Sequence, residues 1–175
     1  MTLVSRLEKI IGAEKTRKLA NNSVYKFSAD AVAMNVFSLV YALNEKFVAG
    51  MDWSETHQAR LAAAVGNTIT GRPYGLYRDF VMKKFGVNEE SHWLKKYAID
   101  VFVFATGQTP LYVAYLAAAG ADLEQIARGA TFLTFVAPLT GRPQGATYDY
   151  VRYQFGLQSA YESTVQNTIP VKLIS

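Results

Sequence analysis

The chain has 175 residues and a net charge of +4, and half of its residues are hydrophobic. It has no cysteine and two histidines, which excludes disulfides, thiolate metal sites and histidine-rich metal centres. The mean hydropathy is only +0.05, so composition leaves a soluble helical bundle open beside a membrane protein. The basic residues form short clusters separated by apolar segments, which argues against a nucleic-acid partner.

Residues 1–27 are predicted to form an amphipathic segment. Leu3, Leu7, Ile10 and Ile11 recur at helical spacing among Arg, Lys and Glu, a pattern typical of a helix lying on the inner membrane surface. An active role in sensing the membrane is the alternative. Because the segment has no continuous apolar stretch, we expect no cleavable signal peptide.

The rest of the chain contains an internal duplication. The string GRPYGLYRDFVMKKFG starts at residue 71, and GRPQGATYDYVRYQFG starts seventy residues later. The same offset aligns Asp30 with Asp100, and Asp52 with Asp122. Self-similarity of this kind predicts two similar structural units. We assign the first repeat to residues 28–86, the second to 98–156, and a cytoplasmic tail to 157–175.

Each repeat is predicted to contain two helices. Residues 101–121 carry no charge over 21 positions, more than the roughly 18 that mark a membrane-spanning candidate. The duplication then predicts a second span at 28–49, and it pairs 58–81 with 128–151. Lys and Arg lie before, between and after the hairpins, whereas the two short loops within them are acidic. This alternation favours an all-α membrane protein with four transmembrane helices and cytoplasmic termini.

The repeated strings carry glycine pairs and prolines. Gly71 and Gly75, like Gly141 and Gly145, form G-x-x-x-G patterns that allow close helix packing within a membrane. Three prolines are expected to act as kinks or hinges, because each removes a backbone donor: Pro73, Pro110 and Pro143.

Ionisable residues inside the predicted spans are the main functional candidates. Burying Arg72 or Arg142 costs at least about 2.5 kcal/mol on insertion scales, so each needs a partner, water or a route to the surface. Asp30 and Asp100 lie near the cytoplasmic starts of their helices. Here the alternative is a capping carboxylate at a helix N-terminus.

Two further aspartates follow the arginines. Asp79 and Asp149 lie seven residues after Arg72 and Arg142, which places each pair on one helix face. The sequence therefore allows carboxylates and guanidiniums to alternate around the inner half of the bundle. Interfacial anchoring is the alternative for both aspartates and for Arg78.

Uncharged polar residues also lie within the spans. Asn35 and Asn67 are expected to form interhelical hydrogen bonds, with substrate contact as the alternative. Asn44 and Glu45 are expected to reach the headgroups at the outer end. No nucleotide-binding string and no nucleophile–His–acid set is found. We therefore predict no enzyme activity, catalytic residue, metal site or cofactor.

Several strings resemble a known family. RPYGLYRDFVMKKF, preceded by ADAVAMNVFSLVYALNEKFVAGMDW and followed by TPLYVAYLAAAGADLEQI, closely resembles the bacterial L-alanine exporter family, AlaE. The resemblance runs from about Ala29 to Leu157. It implies a four-span, multi-pass inner-membrane exporter of L-alanine, driven by the proton gradient and assembled as a homo-oligomer. It also implies that Gly141 and Gly145 take part in assembly.

The sequence thus predicts export of a small amino acid, most simply L-alanine, in exchange for protons. Asp30 and Asp100 are the candidates for binding the ammonium and for proton coupling, since burial of a carboxylate favours its protonated form. Arg72 and Arg142 are the candidates for the carboxylate. The alternatives are a non-transporting scaffold or regulatory subunit, and a passive channel. Four helices are few to enclose a path, so we expect at least a dimer.

Overall fold

The computed structural model describes residues 2–39 and 41–162. In these residues it contains helices and connecting turns but no strand. The helices are α1 (Leu3–Ile11), α2 (Ala13–Asn21), α3 (Ser23–Ser38), α4 (Tyr41–Phe47), α5 (Trp53–Lys84), α6 (Trp93–Val103), α7 (Thr109–Ala118) and α8 (Leu123–Gln154). A π-helical turn, Phe104–Gln108, joins α6 to α7. The predicted all-α class is confirmed.

Four helical stretches form an antiparallel bundle. α3 packs against both α5 and α8, while α6 packs against α8, and α7 against α5 and α8. α4 follows α3 in the chain and contacts the beginning of α5. We call the end of the bundle where α3 and α6 begin, and where α5 and α8 finish, the inner end.

Charged side chains lie inside the bundle and apolar side chains cover its outside. The buried ionisable residues are Asp30, Glu45, Arg78, Asp100 and Arg152. The exposed apolar residues include Val36, Leu43, Leu61, Ile69, Phe80, Phe135 and Leu139. A water-soluble protein shows the reverse arrangement, because in water the apolar side chains are buried and the charged ones stay exposed. Inward-facing charge beneath an apolar surface is typical of helices surrounded by lipid.

Among the described residues, one continuous helical stretch is long and apolar enough by composition to cross a membrane, Trp93–Ala118. The other three stretches differ from it for identifiable reasons. α3 and α4 are short because the helix is interrupted after Ser38. α5 and α8 carry Gly, Thr, Arg and Asp along their lengths, which lowers their hydropathy.

The N-terminal segment consists of two helices. Gly12 ends α1 with φ of +88°, a left-handed conformation that glycine adopts without a Cβ penalty. The break turns α1 toward the end of α8, where the Leu3 amide donates to Gln154 Oε1 at 3.2 Å. The Tyr25 hydroxyl donates to the Phe155 carbonyl at 3.0 Å. The segment therefore lies against the inner end of the bundle.

The hairpin loops are built alike in the two repeats. Asp52 caps α5 in a capping box with Glu55, and Asp122 caps α8 in the same way with Gln125. Each capping carboxylate accepts from the amide three residues on and satisfies a free donor of the first turn.

Asp30 and Asp100 do not cap helices. The cap of α3 is Asn22 and the cap of α6 is His92. Both aspartates lie about two turns further along, where the surrounding amides are already bonded within the helix. The capping interpretation of these two carboxylates is therefore wrong.

The prolines occupy different settings. α5 and α8 each continue through the repeated proline, Pro73 or Pro143. Pro110 follows the π-helical turn, in which the Thr109 amide donates to the Phe104 carbonyl. Such turns widen a helix locally and often occur at functional sites. This one places Gln108 in the bundle interior.

Candidate charge clusters at the inner end

The first glycine of each repeated pair brings two helices together. A Cβ atom at Gly71 would lie 2.7 Å from the Ala31 Cα, and one at Gly141 would lie 2.7 Å from the Val101 Cα. Only glycine permits this backbone approach. α5 therefore contacts α3, and α8 contacts α6, beside the residue that follows each buried aspartate.

The second glycine makes room for the aspartate itself. A Cβ at Gly75 would lie 2.6 Å from Asp30 Oδ2, and one at Gly145 would lie 2.6 Å from Asp100 Cγ. The glycine pairs are thus filled by contacts within the chain. Their role in assembly between copies stays a prediction.

Asp30, Asp79, Arg72 and Arg152 form the first cluster. Arg152 donates from Nε to Asp30 Oδ1 at 2.7 Å and from Nη2 to Oδ2 at 3.1 Å. Its Nη1 donates to Asp79 Oδ1 at 2.7 Å. Arg72 Nη1 adds a bond of 2.8 Å to Asp30 Oδ2. Two carboxylates and two guanidiniums balance, which is the condition for burying charge.

Asp100, Asp149, Arg78 and Arg142 form the second cluster. Arg78 donates to Asp100 Oδ1 at 3.0 Å and holds both oxygens of Asp149 at 2.8 and 2.9 Å. Arg142 Nη1 donates to Asp100 Oδ2 at 2.8 Å. The cluster again contains equal numbers of acids and bases. Bidentate pairing of this kind is among the strongest side-chain interactions.

The two repeats exchange one arginine each. Arg152, from the second repeat, bridges the two aspartates of the first, and Arg78, from the first, bridges those of the second. The seventy-residue offset aligns Arg78 with Tyr148, and Arg152 with Met82. Neither bridging arginine therefore has a repeat counterpart.

The structure brings together all six charged residues that the sequence singled out, and it adds the two bridging arginines. Arg72 and Arg142 make ion pairs instead of only reaching toward the surface. Interfacial anchoring is the wrong interpretation for Arg78, whose side chain is buried between two carboxylates.

The first cluster opens onto a cavity at the inner end. The cavity has a volume of about 640 Å³ and lies beneath α2 and the residues that follow α8. Its charged lining residues are Arg17, Lys26, Arg72, Asp79 and Arg152. Arg72 and Asp79 are partly exposed, at 27% and 22%, whereas Asp30 lies fully buried behind them.

Tyr161 packs against the second cluster. The Tyr161 hydroxyl donates to Asp100 Oδ2 at 3.0 Å, and its ring lies 5.4 Å from the Arg78 guanidinium and 5.5 Å from that of Arg142. Burial raises the pKa of Tyr161 above its ordinary value, so the hydroxyl keeps its proton and remains a donor. The two clusters therefore differ in their neighbours: the first borders the cavity, whereas Tyr161 packs on the second, in which the Arg142 side chain is still 36% exposed.

A neutral polar layer lies next to the clusters. The Tyr74 hydroxyl donates to Gln144 Oε1 at 3.3 Å, and Gln144 Nε2 donates to Gln108 Oε1 at 3.1 Å. The Tyr148 hydroxyl contacts the Gly71 carbonyl at 3.3 Å. Sequence reasoning missed these residues. The one sequence feature that could have indicated this layer is Gln108, a polar amide in an uncharged stretch.

The two predicted asparagines differ in their contacts. Asn35 Nδ2 donates to the Ala31 carbonyl at 3.0 Å and to Thr68 Oγ1 at 3.3 Å, which joins α3 to α5. Asn67 is fully buried, and neither of its side-chain polar atoms has a partner among the described residues.

Comparison with known proteins identifies the family. The model of the family AlaE, L-alanine exporter, matches residues 19–158. The chain belongs to this family. An exporter family implies a membrane protein, and it is defined by transport instead of a catalysed reaction.

Relatives described as L-alanine exporter AlaE support the same assignment. The protein from Citrobacter koseri is 35% identical over 136 residues, covering 77% of this chain and 91% of the relative. The Escherichia coli protein is 37% identical over 128 residues, covering 73% and 85%. The Pantoea protein is 31% identical over 157 residues, covering 89% of each. No solved structure shows a significant match to this chain.

Proposed function

We propose that the chain is an L-alanine exporter of the bacterial inner membrane, driven by the proton gradient. The observation that carries the proposal is the first cluster, in which buried acids and bases meet a cavity at the inner end. A zwitterion needs an anionic partner for its ammonium and donors for its carboxylate, and the cluster offers both. We take L-alanine as the substrate because the relatives are named L-alanine exporters.

Four membrane spans fit the bundle. They are α3 with α4, α5, α6 with α7, and α8, arranged as two tandem hairpins. Support comes from the apolar outer surface around buried charges and from the Lys and Arg at the inner end, which indicate cytoplasmic termini. Because both hairpins run in the same direction, the repeats are related by an axis along the membrane normal.

Alanine binds at the first cluster. Three members of this cluster, Arg72, Asp79 and Arg152, line the cavity, and Asp30 lies behind them. The carboxylate pairs with the guanidiniums and the ammonium with the aspartates. The second cluster stabilises the bundle in this proposal, because the Tyr161 hydroxyl already donates to Asp100.

Proton coupling follows from competition for the same carboxylate. The ammonium binds ionised Asp30 from the cytoplasmic side. A proton that arrives from the outer side neutralises this carboxylate, which weakens the ammonium contact and releases alanine outward. The proton then leaves to the cytoplasm, so one influx step drives one export step.

The chain works as a homo-oligomer in this proposal. The interior of one bundle is filled by side chains from all four helices, and four helices are few to enclose an open path. Because the glycine pairs are covered within the chain, we place the contact between copies on another face. Cross-linking in native membranes measures the copy number.

Reconstituted liposomes test the function. We load them with labelled alanine, impose a pH gradient, and compare the wild type with Asp30→Asn and Asp100→Asn. Asp30→Asn should abolish gradient-driven export. Glu124→Gln, at an exposed position of α8, is the control. If Asp30→Asn exports as well as the wild type, the coupling assignment is wrong, and wild-type export that ignores the gradient would indicate a passive channel.

A further inference from the structure

A separate buried ion pair, the outer pair, lies at the end of the bundle opposite to the two clusters. Arg60 Nε donates to Glu45 Oε2 at 2.8 Å, and its Nη2 donates to the other carboxylate oxygen. The Arg60 Nη1 donates to the Ser38 carbonyl at 2.6 Å. Glu45 is fully buried and the Arg60 side chain is only 15% exposed. The sequence position of Glu45 predicted that it reaches the headgroups. Its burial shows that this prediction is wrong.

This pair belongs to one repeat alone. The seventy-residue offset aligns Glu45 with Tyr115 and Arg60 with Ala130. The aspartates at the inner end are duplicated, but the outer pair has no counterpart in the second hairpin. Because the pair is present in one repeat alone, the duplication does not explain it, and it needs a separate explanation.

Buried polar groups without partners lie next to the pair. Asn44 donates to the Tyr112 hydroxyl at 3.0 Å, while its own Oδ1 accepts no bond from the described residues. Tyr41 lies with its ring 5.9 Å from the Arg60 guanidinium and 5.5 Å from the Tyr112 ring, and its hydroxyl is also unpaired within that part of the chain.

These groups connect the outer pair to the inner clusters. Asn67, whose amide is unpaired, lies seven residues from both Arg60 and Tyr74, so the three share one face of α5. Tyr74 belongs to the polar layer beside the clusters. Native proteins rarely leave buried polar atoms unpaired. Tyr41 and Asn44 beside the outer pair, and Asn67 between the two charged sites, are therefore positions where a passing polar ligand can form hydrogen bonds.

We propose that Glu45 and Arg60 form an outer gate that binds the amino acid as a zwitterion before release. This inference rests on the proposed transport function. In the closed gate the two side chains neutralise each other. An arriving zwitterion offers its ammonium to Glu45 and its carboxylate to Arg60, so the pair separates without leaving a buried charge unpaired. A ligand with one charge leaves one side unpaired, so the gate favours net-neutral amino acids.

Two double variants test the gate in liposomes loaded with labelled alanine. Glu45→Gln with Arg60→Gln keeps the size and hydrogen bonding of the pair but removes both charges. Glu45→Arg with Arg60→Glu keeps both charges in exchanged positions. The matched control is Glu124→Gln with Arg128→Gln, which neutralises an exposed pair on α8. Calorimetric titration with alanine measures binding in the same purified proteins.

The neutral variant should lower export at least about tenfold, because charge-assisted hydrogen bonds are roughly twice as strong as neutral ones. Its alanine affinity should stay within about twofold, since the first cluster is intact. The exchanged variant should export within about threefold of the wild type, because a zwitterion can bind in the reverse orientation. The control should be unchanged.

Wild-type export in a folded neutral variant would overturn the proposal. If the neutral variant does not fold, the exchanged variant decides, and its failure to export while folded and binding alanine would also overturn it. If the proposed transport function is wrong, the wild type itself exports no alanine. This result distinguishes failure of the function from failure of the gate.

Discussion

Replacing Arg152 by methionine tests whether the exchanged arginines hold the two repeats together. The change removes three charge-assisted hydrogen bonds, two to Asp30 and one to Asp79. Methionine should fit without strain, because Met82 is buried at the corresponding position of the first repeat. The substitution therefore isolates the loss of charge from any change in packing.

The size of the effect follows from burial. Asp30 is fully buried and keeps only the bond from Arg72, whereas Asp79 is 22% exposed and can regain water. Removing one partner of a buried pair costs about 3–5 kcal/mol. We expect Arg152→Met to lower the free energy of unfolding by this amount. Adding Asp30→Asn removes the uncompensated charge and should recover more than half of the loss.

Unfolding in mixed micelles, followed by circular dichroism during titration with sodium dodecyl sulfate, measures these differences. Arg128→Met is the control, because it removes an exposed pair whose side chains are 58% and 71% accessible. Pairs of that kind contribute about 0–1 kcal/mol. A loss below about 1 kcal/mol for Arg152→Met, or no recovery on adding Asp30→Asn, would refute the argument.

Three further changes separate the roles of the glycines, the second cluster and the caps. Gly75→Ala places a methyl group 2.6 Å from Asp30 Oδ2, so export should fall at least about tenfold in liposomes. Gly129→Ala meets only side-chain atoms at 3.2 Å or more and should retain export. Tyr161→Phe should lower the free energy of unfolding by about 1–2 kcal/mol and leave export within about twofold. Asp52→Ala should lower it by about 1 kcal/mol through loss of the cap.

The duplication explains why much of the inner site could be predicted from the sequence. Asp30 and Asp100, and likewise Arg72 and Arg142, stand out because both copies carry them inside apolar helices. A buried charge needs a partner, and few opposite charges lie within reach. The glycine pairs also mark the positions where the helices approach. These inferences depend only on local sequence and on the repeat.

The bridging arginines could not be found in this way. Arg78 and Arg152 align with Tyr148 and Met82, so a search for repeated residues passes over them. Each also binds an aspartate on the helix across the bundle, and that distance depends on how the hairpins pack. The outer pair was missed for a related reason, since Glu45 lies beside a loop and looks solvated.

The difference between the repeats makes the two charge clusters unlike each other. Arg78 and Met82 are one turn apart on α5, and the corresponding residues on α8 are Tyr148 and Arg152. Arg152 therefore lies about 6 Å further toward the inner end along its helix than Arg78 does along α5. That shift brings Arg152 to the cavity, whereas Arg78 remains buried beneath Tyr161. The duplicated aspartates and glycines supply a symmetric frame, and the shift of one arginine by a single turn makes the two clusters differ in their contacts.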